Sequence, residues 1–76
     1  MQKEGLTMPL SMSEIGKPMY IKKIGGQEET RRHLESLGFI VGTMVTVVSK
    51  LGGNLIVKVM ETRVAIGMDL ANKIIV

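Results

Sequence analysis

Between His33 and Val47 the hydrophobic period of this chain changes. In HLESLGFIVGTMVTV, Leu34 and Leu37 stand three apart, as one face of a helix requires, while Val45 and Val47 stand two apart, as one face of a strand requires. Gly38 and Gly42 bracket the change. If Leu37 is the helix cap, Gly38 occupies the left-handed position after it, and Leu34 and Phe39 become the pair that a Schellman motif brings into apolar contact. Phe39 then seals the helix end. Ile40 and Val41 cannot both turn inward at so short a corner, and Ile40 is expected at the surface as part of an apolar contact patch beside the helix.

The rest of the chain is read outward from this corner. Upstream, QEETRRHLESL has acids near its start and Arg31, Arg32 and His33 after them, the charge order that suits a helix dipole. Glu28 and Arg32 form an i,i+4 pair with the acid first, worth about 0.3 kcal/mol. Before it, PMYIKKI alternates and predicts one strand over residues 19 to 24, ended by Gly25-Gly26. MPLSMSEIGK, residues 8 to 17, mixes Pro9, Ser11, Ser13 and Gly16 with Leu10, Met12 and Ile15, a lead-in without a long regular element.

Downstream, MVTVVSK and LIVKVM are strands joined by Leu51-Gly52-Gly53-Asn54, and TRVAI is a short strand after a turn at Glu61-Thr62. GMDLAN makes a single-turn corner and KIIV closes as a last strand. About five short strands with one helix after the first predict a mainly β fold, a small and strongly bent antiparallel sheet or barrel. Residues 1–7 are expected to be a flexible lead and residues 8–76 a single domain.

At 76 residues the core is small; a chain of this size buries only roughly 60–65% of the surface it exposes unfolded. No cysteine is present to supplement it with disulfides or thiolate metal sites. The apolar runs are soon broken by charge, as Leu55-Ile56-Val57 is by Lys58, so no segment spans a membrane. The first seven residues lack the apolar stretch of about 7–15 residues that a secretory signal needs, and the expected location is the cytoplasm.

Few chemistries remain. There is one histidine, no cysteine and neither of the glycine-rich phosphate loops, so enzyme activity is not expected, nor is a cofactor. Glu29 and His33 are i,i+4 on the helix, but two ligands without a third make no metal site of useful affinity. The methionines never form a tight M-x-x-M cluster, and they read as core filler and adaptable contact surface. The formal charge of +3 is scattered, and Tyr20 and Phe39 are the only aromatics, which leaves little to bind phosphate backbones or stack bases.

The stretch HLESLGFIVGTMVTV resembles the signature of the FeoA family, small cytoplasmic accessory proteins of bacterial ferrous iron uptake. The residues that carry the likeness are Leu34, Leu37, Gly38, Phe39, Gly42, Val45 and Val47, preceded by Ile21, Ile24, Gly25 and Gly26 before the helix. The resemblance implies an SH3-like β-barrel with an inserted helix, and a partner of the FeoB type, a membrane ferrous iron transporter with a cytoplasmic GTP-binding domain. A similar domain ends some iron-dependent repressors, and the expectation here is the stand-alone form. Arg31, Arg32, Glu35, Ile40 and Val41 are the expected partner-contact residues. The alternative is an SH3-like barrel that binds nucleic acid or serves as an adaptor in transcription or translation. Weak homo-oligomerisation across an exposed strand edge is a further expectation.

Overall fold

The computed structural model describes residues 7–76, so the flexible lead expected over residues 1–7 lies, Thr7 apart, outside the described residues. After Pro9 the chain makes a short 3-10 turn, Leu10–Met12, which buries Leu10. This is how the lead-in contributes to the core without a long element.

The single strand expected over residues 19 to 24 is two. Strand β1, Pro18–Tyr20, and strand β2, Lys23–Ile24, belong to different sheets. Tyr20 lies opposite Met44, and the N–H of Ile21 extends that pairing to the Thr43 carbonyl at 3.0 Å. The next N–H, that of Lys22, donates instead to the Ile75 carbonyl at 2.7 Å, across the second sheet. Backbone donors stay satisfied through the change of partner, while the side-chain alternation slips: Ile21 and Ile24, three apart, are both buried.

Helix α1 spans Glu28–Ser36 and buries only Leu34. A nine-residue helix this polar is not stable by itself, so its attachment at the C-terminal end holds it. Strand β3, Met44–Leu51, follows, then β4, Asn54–Val59, and β5, Thr62–Gly67. The Gly52-Gly53 turn joins β3 to β4 as expected, with Gly52 at φ +56°. A register shift between Val47 and Ser49 bends β3.

The β4–β5 turn is Met60-Glu61 rather than Glu61-Thr62, because Val59 and Thr62 are directly opposed. Both turn residues have positive φ, 59° and 113°. A two-residue reversal needs that backbone to match the strand twist, and it is ordinarily supplied by Asn-Gly or its like. A short helix α2, Met68–Ala71, leads to β6, Ile74–Ile75, which pairs with β2.

The first sheet has the order β1-β3-β4-β5 and the second is β2-β6, all antiparallel. The count is therefore six strands among the described residues rather than about five, the extra one arising at the Ile21–Lys22 partner change. No ladder joins the two sheets into a closed cylinder. Val45 and Val47 of β3, with Leu55, Val57 and Val59 of β4, point into the space between the sheets, where Ile74 of β6 and Phe39 meet them.

Candidate functional site: the apolar surface at the helix end

The stop of α1 is the Schellman arrangement that the spacing predicts. The Phe39 N–H donates to the Leu34 carbonyl at 3.0 Å and the Gly38 N–H to the Glu35 carbonyl at 3.0 Å. Gly38 has φ +105°. A Cβ there would stand 3.4 Å from Val59 Cγ2 and 3.6 Å from the Met60 sulfur, so the helix end sits directly on the end of β4.

The chain leaves this cap through a second defined turn. The Thr43 N–H donates to the Ile40 carbonyl at 2.9 Å, and Gly42, at φ +95°, supplies the conformation that the third position of a type II turn requires. The Gly42 N–H donates to the Ile21 carbonyl at 2.8 Å, which ties the turn to the sheet corner. With Phe39 wholly buried, Ile40 and Val41 are left outside, 43% and 58% exposed.

Three more apolar side chains share this end of the molecule. Tyr20 and Met44 face each other across β1 and β3, and Met60 extends from the strained turn beside Gly38. They are 59%, 45% and 55% exposed. Met44 and Met60 line one shallow cavity of about 200 Å³ with Thr46, Lys58 and Glu61. Single exposed aliphatics are ordinary on a folded surface; several large ones around one helix end form a patch of the kind that marks contact sites.

Of the expected charged contacts, Arg31 and Glu35 are exposed at i,i+4 on one strip of α1. Arg32 is exposed too but turned to the helix start, where its guanidinium meets Glu28 at 3.0 Å. Sequence reasoning reached Ile40 and Val41 and missed Tyr20, Met44 and Met60. The outward alternation of Tyr20 and Met44 was there to be read, but their pairing joins strands from opposite sides of the helix. For Met60 no local signal exists, since neither it nor Glu61 is a typical turn residue.

Folding also gathers methionines that the sequence scatters. Met8, Met12 and Met19 line a second cavity of about 230 Å³ with Ser13, Glu14 and Lys17. Among the described residues no group of three or more His, Cys, Asp or Glu side chains is placed to hold a metal ion. No helix among them is long and apolar enough to cross a membrane.

Similarity to known proteins covers the same span as the fold. The FeoA domain family matches residues 8–76. The crystal structure of an iron uptake regulatory protein, FeoA, superposes with a TM-score of 0.84 at 30% identity, over 92% of this chain and 93% of that one. Stenotrophomonas maltophilia FeoA, an SH3 domain protein in a complex with zinc, gives 0.77 at 27% identity, over 88% and 86%. A manganese-dependent transcriptional repressor gives 0.85 at 19% identity, over 93% of this chain and 41% of its own, a likeness of fold alone. Among curated protein sequences none matches. The helix-capped corner at Gly38, the open two-sheet SH3-like architecture and the match over residues 8–76 have one conclusion: this chain belongs to the FeoA family of ferrous iron transport proteins.

Proposed function

We propose that this protein is a cytoplasmic accessory and regulatory component of ferrous iron uptake, which acts by binding the cytoplasmic side of a FeoB-type ferrous iron transporter. The observation that carries the reading is the exposed apolar patch of Ile40, Val41, Tyr20, Met44 and Met60 around the helix end. The Schellman cap, the type II turn, the β1–β3 ladder and the β4–β5 hairpin fix the backbone beneath these five side chains, so little backbone ordering opposes docking. Lys58, Glu61, Arg31 and Glu35 provide charged groups beside the apolar centre, the arrangement of a transient interface.

Methionine suits such a surface because its flexible thioether repacks against a partner that moves. Regulation by an arginine inserted into a nucleotide site is not favoured by the geometry. Arg31 and Arg32 are on a helix rather than a projecting loop, and Arg32 is engaged by Glu28. The Stenotrophomonas relative carries the description of a candidate activating factor for ferrous iron transport, which agrees with this role.

Calorimetric titration of the protein into the intact transporter and into its cytoplasmic part, with a GTP analogue, with GDP and without nucleotide, tests the reading. Binding that depends on the nucleotide identifies a regulator of the GTP cycle, and equal binding in all states identifies an assembly factor. Absence of binding to the intact transporter in every state overturns the proposal.

A further inference from the structure

Strand β5 is one of the two outer strands of the larger sheet, and its free side is open among the described residues. Val59 and Thr62 close a two-residue hairpin, so they form a hydrogen-bonded pair, and such pairs alternate along the ladder. The Met68 N–H donating to the Gly53 carbonyl at 2.9 Å continues the same alternation past the strand end. It follows that Thr62, Val64 and Ile66 bond to β4, whereas the N–H and C=O groups of Arg63, Ala65 and Gly67 point away from it. The usual protections of an edge are few here. Thr62–Gly67 contains no proline, its pairing with β4 has no register shift, and Arg63 is its only charge.

We propose that this edge pairs antiparallel with β5 of a second copy of the chain, about a two-fold axis at Ala65, to give a dimer with one continuous sheet. In this register Ala65 faces Ala65 of the second copy, and Arg63 of each copy faces Gly67 of the other. All three outward residues are thereby paired, each pair exchanging two hydrogen bonds. A register centred on Arg63 would oppose like charges, and one centred on Gly67 would pair fewer residues.

The charges fit the second copy in particular. Asp69 Oδ1 lies 2.9 Å from where a Cβ on Gly67 would stand, with Asn54 Oδ1 at 3.8 Å. Directly opposed residues of paired strands project from the same face of a sheet. Arg63 therefore reaches over the bare Gly67 of its neighbour toward that neighbour's Asp69, and the symmetry makes the pair twice. Both residues are exposed, and the one ion pair among the described residues is Glu28 with Arg32, so neither is otherwise engaged. The two arginines are separated by four residues of strand, roughly 14 Å, which exceeds the screening length of about 8 Å at physiological salt.

Sedimentation velocity of the full chain from micromolar to millimolar concentration tests the pairing. A monomer–dimer equilibrium is expected for the wild type, and a monomer throughout for Ala65→Pro, which removes the outward donor without touching the β4 ladder. Arg63→Asp and Asp69→Arg each weaken the dimer about tenfold, and the two together restore it. A wild type that stays monomeric at every concentration overturns the proposal. So does a dimer that these single variants leave unchanged, or one that the double exchange fails to restore.

Discussion

Phe39 donates its backbone N–H to the carbonyl of Leu34 at 3.0 Å, and the side chains of both residues are completely buried. The capping bond closes the end of a polar nine-residue helix, and the two buried side chains anchor that end in the core. Phe39→Ala removes the largest side chain of the core and is expected to cost about 3–5 kcal/mol. Urea denaturation with circular dichroism as readout measures this loss, and helix signal should fall before sheet signal.

The two positive-φ glycines of the corner differ in what surrounds them. At Gly42 a Cβ meets nothing within 4 Å, so Gly42→Ala costs only the backbone strain, about 1 kcal/mol. At Gly38 the same strain is joined by a 3.4 Å approach to Val59, so Gly38→Ala should cost more. Equal losses in thermal melts of the two variants would contradict the packing of the cap against β4.

Glu61 holds φ at 113° without being glycine. Glu61→Gly relieves that strain and is expected to stabilise the protein by about 1 kcal/mol, a rise in Tm of roughly 4–8 °C for a chain of this length. Differential scanning calorimetry reads the shift directly. A lower Tm would mean that the carboxylate makes an interaction worth more than the backbone strain.

Ile40 and Val41 project outward from a turn whose hydrogen bonds are all backbone. Ile40→Asp and Val41→Asp should therefore leave stability within about 1 kcal/mol of the wild type while weakening binding to the transporter. Chemical denaturation and calorimetric titration of the same preparations separate the two effects. A large stability loss for Ile40→Asp would make it a core residue and remove it from the contact surface.

Much of the fold was legible where a few adjacent residues decide the conformation. The helix end needed only Leu34, Leu37, Gly38 and Phe39, all within six positions, and the β3–β4 hairpin needed only Gly52-Gly53. The β4–β5 turn was misplaced by one residue because Met60 has no turn preference of its own; the opposition of Val59 and Thr62 imposes its φ. Two of the five patch residues were legible for a similar reason. Ile40 and Val41 follow from the brevity of the corner, but Met60 joins them only because β4 ends under the helix cap.

By itself the sequence determined the local signals: the helix and its stop, the strand periods, two glycine turns and a family signature. These depend on hydrogen bonds and side-chain contacts between near neighbours, which a few residues specify whatever the rest of the chain does. Tertiary structure alone decided that Ile21 and Lys22 pair with different sheets, that Tyr20 lies opposite Met44, and that Arg63 and Asp69 flank one open edge. Those relations join residues up to 53 positions apart, as between Lys22 and Ile75. They are settled by the requirement that one small core bury both sheets at once, a condition that no short stretch of sequence contains.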